Sequence, residues 1–149
     1  MSEGTPGTTA ALRLQLDRWA ARLRSTERAL HEHLHGEARE TLLERTDELA
    51  IRLVRWAPGA TTGLHDHGGA ARALRVLRGA LTERRVDGER WTLRLWTEGS
   101  LDVVTNDGPH ELMNLRTGAA WSLHALTFPS TRRSYTSDPR GVLVPIEPG

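Results

Sequence analysis

From Ala10 to about Arg24, apolar Leu12, Leu14, Leu16, Trp19, Ala20 and Leu23 interleave with Arg13, Gln15, Asp17, Arg18 and Arg22 in a pattern closer to helical than to strand spacing. This predicts a surface helix with one buried stripe, capped by Thr8 or Thr9. Ser25-Thr26-Glu27 restarts a second helical segment through about His33, and a third covers Glu37 to Glu44 after the breaker Gly36. Beyond Thr46-Asp47 the pattern changes to short strand-like runs. These are Leu49–Trp56, Gly63–His67, Arg72–Leu77, Ala80–Val86, Arg90–Trp96, Leu101–Val104, His110–Leu115, Ala119–Thr127, Arg132–Thr136 and Gly141–Ile146. Turn signals such as Pro58-Gly59, Gly68-Gly69, Asp87-Gly88 and Thr117-Gly118 separate them, and Asp87-Gly88 is a strong two-residue hairpin signal. Many short, evenly spaced strands argue for a barrel or double-sheet jelly roll over a parallel sheet. The expected organisation is a loose tail over 1–8, a helical segment over 9–46 packed on the barrel, and a β-barrel over 47–149.

Composition narrows the function classes. The chain has 149 residues, 38% hydrophobic and 26% charged, which suits one globular domain with a modest core. All 20 basic residues are arginines set against 19 acids, so a net charge of +1 gives no electrostatic case for nucleic acid or a membrane surface. No apolar run approaches a spanning helix, and the first residues lack the layout of a secretory signal, so the expected location is cytoplasmic. There is no cysteine, which removes disulfides, thiolate metal sites and a cysteine nucleophile. Any metal must be held by His, Asp or Glu.

Seven histidines stand at 31, 33, 35, 65, 67, 110 and 124. Residues two apart on a strand point to one face, so His65 and His67 form a chelating pair with the Asp66 carboxylate facing away. His124 is the expected third ligand, because barrel strands distant in sequence become neighbours across the interior. Three neutral imidazoles suit Zn, Fe, Ni or Cu alike. His31, His33 and His35 read as a solvated helix end, since only the i,i+4 pair His31 and His35 could meet on a helix. His110 opens a strand and is expected to be a structural hydrogen-bond donor beside the ligands.

These residues fall in a known pattern. Gly59, His65-Asp66-His67 and Gly79 resemble the first cupin motif, and Asn106-Asp107-Gly108 through His110-Glu111-Leu112-Met113-Asn114 to Trp121-Ser122-Leu123-His124 resembles the second. More narrowly, Arg45-Thr46-Asp47, Trp56-Ala57-Pro58-Gly59, His65-Asp66-His67-Gly68-Gly69 and Ser122-Leu123-His124 resemble the bacterial form of the cysteine dioxygenase, or thiol dioxygenase, family over about residues 40–130. The resemblance implies a mainly β, single-domain cupin jelly roll holding one Fe(II) on three histidines. It also implies transfer of both atoms of O2 to a small thiol carboxylate, of the cysteine or 3-mercaptopropionate type, to give a sulfinate.

The chain departs from that pattern in places that bear on substrate. Arg72 stands where general cupins carry a glutamate ligand, and strand alternation from Leu74 and Val76 points it inward, where its guanidinium could clamp a carboxylate. No cysteine–tyrosine crosslink can form. The family's carboxylate-binding arginine finds a counterpart in Arg39 with a one-residue slip, and the expected active-site tyrosine has one candidate, Tyr135. Trp56 adjoins the metal-bearing strands and is expected to contact substrate. Two other readings stay open: a three-His cupin dioxygenase acting on a non-thiol, and a non-catalytic cupin binding metal and a carboxylate. Unpaired sheet edges make a homodimer compatible with the sequence.

Overall fold

The computed structural model describes residues 6–23, 28, 30, 31, 39–105 and 108–146. A helix, α1 (Pro6–Leu23), is followed by eleven strands: β1 (Glu40–Arg45), β2 (Leu49–Trp56), β3 (Leu64–Asp66), β4 (Arg72–Arg78), β5 (Ala80–Asp87), β6 (Arg90–Thr97), β7 (Leu101–Val104), β8 (His110–Met113), β9 (Ala120–Thr127), β10 (Arg133–Ser137) and β11 (Leu143–Pro145). They form two antiparallel sheets, five strands in the order β1-β2-β9-β4-β7 and six in the order β11-β10-β3-β8-β5-β6. The result is the double-sheet form of the jelly roll; the two sheets do not close into a barrel by strand pairing among the described residues.

Strand pairing joins segments far apart in sequence. Every residue of β2 has a partner on β9, from Leu49 opposite Thr127 to Trp56 opposite Ala120, and β4 lies on the other side of β9. Paired residues share a face. The outer face of this sheet, Ile51, Leu53, Ala73, Trp121, Leu123 and Ala125, is covered by α1 through Leu12, Leu16, Trp19 and Leu23, at i, i+4, i+7 and i+11. Each fully buried leucine contributes about 1.5–3 kcal/mol, and an Arg75–Asp17 ion pair ties β4 to the helix. The inner face packs on the second sheet through Trp56, Leu74, Val76, Leu81, Leu112 and Ala120. One end between the sheets is therefore filled by side chains, and the other end holds a cavity of about 690 Å3.

The N-terminal region departs from the expected layout. The helix opens at Pro6 instead of Ala10, as suits a residue whose φ is already set for a first helical turn. The expected third helix is a strand over Glu40–Arg45, paired with β2 with a bulge between Leu42 and Glu44. Two adjacent leucines among polar residues fit either period, and pairing along the open edge of β2 decides the outcome. Of the expected second helix, Arg28, Leu30 and His31 are described and helical; the rest, with His33 and His35, lies outside the described residues. Among the described residues no helix is long and apolar enough to cross a membrane.

Candidate metal centre

β3 is three residues long, bounded by turns at Gly63 and Gly68-Gly69, and inserted between β10 and β8. Its alternation directs His65 inward, and His67, two residues on, joins it; their rings meet edge to face at 4.8 Å. His65 is the register partner of His110 on β8, which places a third imidazole on the same face. The ligating atoms of His65, His67 and His110 all lie within 4.8 Å of one another.

Hydrogen bonds determine which nitrogens face the cluster. His65 Nδ1 lies 2.9 Å from the Gly63 carbonyl. A carbonyl only accepts, so Nδ1 carries the proton and the lone pair is on Nε2. His110 Nδ1 lies 2.8 Å from Glu83 Oε2. Burial raises the Glu83 pKa, but the His110 hydrogen bond and the charges of Arg72 and Arg85 outweigh it and hold the group at about 2. The carboxylate is thus ionised and accepts from Nδ1. His110 Nε2 is buried with no hydrogen-bond partner among the described residues. Burial, then Arg72, lowers the His110 pKa to about 3, and burial with Arg72 and Arg132 lowers His67 to about 4. Both rings are neutral at pH 7 with lone pairs to donate. An unpartnered buried acceptor costs about 1–3 kcal/mol, which a divalent cation at this position would offset. The donor set therefore fits a metal ion.

Arg72 points inward, as alternation predicts; it is buried, lines the cavity with the three histidines, and donates Nη2–H to Glu83 Oε2 at 3.2 Å. Trp56 lines the cavity too, and Arg39 stands exposed at its mouth with Arg132. His31 packs edge-on against Trp121 at 5.0 Å, on the helix-covered side of the sheet.

Two expected positions differ. His124 lines the cavity from β9 on the opposite sheet and is not among the three converging histidines. Ser122 Oγ accepts the Trp56 indole N–H at 2.7 Å and lies 2.6 Å from His124 Nε2, so that ring nitrogen is already engaged within the protein. Tyr135 pairs with Leu64, on the face of β3 turned away from His65, and its hydroxyl donates to Asp66 Oδ2 at 2.6 Å. It faces away from the cavity. Burial raises the Asp66 pKa, but Tyr135, Arg133 and the Gly68 amide together outweigh it and lower the pKa overall.

Sequence reasoning missed Glu83 and Ser122. Glu83 is fully buried and also accepts Arg85 Nε–H at 2.7 Å and Trp96 Nε1–H at 3.1 Å. Alternation from the core residue Leu81 would have turned it inward, and an acid at an inward position was the available signal.

The sequence model of the family described as cysteine dioxygenase type I matches residues 45–136. No curated protein matches the chain. Among solved structures, a protein with a double-stranded β-helix domain from Klebsiella pneumoniae superposes with TM-score 0.58 at 12% identity, covering 69% of this chain and 90% of that one. A cupin superfamily protein from Desulfitobacterium hafniense gives 0.51 at 15% identity, covering 59% and 74%. Oxalate oxidase in complex with the substrate analogue glycolate gives 0.54 at 18% identity, covering 66% of this chain and 56% of that one. At these identities the likeness is one of fold, and this chain spans little more than half of the oxalate oxidase chain.

Proposed function

Because the chain belongs to the cysteine dioxygenase type I family, matched over residues 45–136, we propose that it is an iron(II)-dependent thiol dioxygenase that converts a small thiol carboxylate to a sulfinate. The reaction is R–SH + O2 → R–SO2H: sulfur loses four electrons, dioxygen gains them, and both oxygen atoms end on sulfur. The observation that carries this reading is the convergence of His65, His67 and His110 beside a buried arginine. In this assignment His110 takes the ligand role that the sequence pattern gave to His124.

A ferrous ion held there supplies ionisation of the thiol and the redox chemistry that activates dioxygen. The chain's own residues do the rest. Arg72 receives the substrate carboxylate with a guanidinium already oriented by Glu83. Arg39 and Arg132 at the mouth attract the anion and favour its carboxylate end. Trp56, Val54 and Leu112 give the cavity an apolar wall that limits water around the sulfur. The Trp56–Ser122–His124 chain holds the His124 ring in place at the cavity wall.

The test is oxygen uptake by iron-loaded protein with cysteine, 3-mercaptopropionate and non-thiol carboxylates, with products analysed by mass spectrometry. The expected result is a gain of two oxygen atoms on one thiol; uptake only with non-thiols contradicts the proposal.

A further inference from the structure

We propose that Glu83 is a positioning residue shared by the metal-binding histidines and the cation of the cavity, one carboxylate orienting both the His110 imidazole and the Arg72 guanidinium. The inference rests on reading His65, His67 and His110 as ligands of one divalent ion.

The two carboxylate oxygens divide the work. Oε1 accepts from Arg85 Nε at 2.7 Å and Trp96 Nε1 at 3.1 Å. Arg85 is itself paired with Asp102 on β7 of the other sheet, so this side is anchored across the sandwich. Oε2 accepts from His110 Nδ1 at 2.8 Å and Arg72 Nη2 at 3.2 Å. A single oxygen atom thereby sets the position of a ligand ring relative to a cavity cation, and displacing it displaces both.

Burying a carboxylate is expensive, and an apolar residue at a core position of β5 would pack without that cost. Orientation is what the charge adds. A carboxylate on Nδ1–H restrains rotation of the imidazole and raises the basicity of Nε2, the nitrogen of His110 that has no partner among the described residues. On the other side it keeps the Arg72 guanidinium beside the histidines, where a substrate bound through sulfur would present its carboxylate.

The experiment is anaerobic cobalt(II) titration of the full chain, followed by calorimetry and visible absorption, for the wild type, Glu83→Gln and Trp96→Phe. 3-Mercaptopropionate is then titrated at saturating cobalt. Glu83→Gln should weaken cobalt by about 10- to 100-fold, shift its visible bands, and weaken 3-mercaptopropionate by roughly tenfold. Trp96→Phe, which removes one donor from the anchoring oxygen, should change both affinities by less than about threefold. If Glu83→Gln does not fold, Glu83→Asp keeps the charge, is too short to reach both partners, and should show the same losses. Unchanged cobalt affinity and bands in a folded Glu83 variant overturn the inference, as does a loss confined to cobalt. Wild-type protein that takes up no cobalt overturns the ligand assignment itself.

Discussion

His65 and His110 are register partners across β3 and β8, their ring centroids 4.6 Å apart. Residues paired across an antiparallel ladder share a face, so strand pairing alone brings the third imidazole to the first. His67 completes the group by alternation within its own segment. Since β3 is only three residues long, with β10 on one side and β8 on the other, the centre depends on both neighbours to hold it in place.

Arg72 and Glu83 form an ion pair that is almost wholly out of water, with side-chain exposures of 8% and 0%. Removing Arg72 takes one charged donor from a carboxylate that stays out of water and keeps His110, Arg85 and Trp96 as partners. Arg72→Met is expected to cost about 1–3 kcal/mol in denaturant unfolding and to raise KM for a thiol carboxylate more than it lowers kcat. Unchanged stability together with unchanged KM would count against both the buried pair and the clamp.

Tyr135→Phe tests the outward placement of that side chain. Its hydroxyl bonds the Asp66 carboxylate, which also accepts two guanidinium N–H groups from Arg133. Loss of the hydroxyl should cost about 1–2 kcal/mol of stability and leave kcat within about threefold. A drop in kcat of a hundredfold or more, with the metal retained, would place the tyrosine in the reaction after all.

The ten strands from Leu49 onward were legible because their periodicity is strong and glycine turns punctuate them. The edge strand at Glu40–Arg45 was not, because its two adjacent leucines carry no clear period and its partner is set by tertiary pairing. The His65-His67 pair and the inward turn of Arg72 follow from alternation alone. Which distant histidine completes the group depends on which strands lie side by side. His110 and His124 are both inward on strands, and only the pairing of β8 with β3, against that of β9 with β2 and β4, separates them. The direction of Tyr135 is set by pairing in the same way: its register with Leu64 turns it outward.

His124 should make the metal-free protein sensitive to acid. Burial lowers its pKa from 6.5 to about 3, aided by Arg72, His67 and His65 and opposed by Glu83; Arg52 faces it from β2. The unfolded imidazole binds a proton below about pH 6.5, while the folded ring excludes it until about pH 3. Over that window the unfolded state holds the extra proton, so stability falls as pH falls. His124→Gln should give a profile of unfolding free energy against pH that is flatter by up to about 1.4 kcal/mol per pH unit. Parallel profiles for the two proteins would contradict this.

Gly79 links β4 to β5, the step by which the chain passes from one sheet to the other, with φ of +74°. A Cβ there would stand 3.0 Å from the Ala119 carbonyl oxygen and 3.1 Å from Ala120 Cα, both backbone atoms that cannot turn aside. Gly79→Ala is expected to destabilise by at least about 2 kcal/mol, from left-handed strain and the contact combined. A change of melting temperature within a degree would argue against this tight crossing.

A metal held by His65, His67 and His110 sets His110 apart from His124. Iron content after anaerobic reconstitution of His110→Ala and His124→Ala, measured side by side with the wild type, tests it most directly. His110→Ala should lose most of its iron while His124→Ala keeps nearly the full complement. Iron retained by His110→Ala and lost from His124→Ala would contradict it.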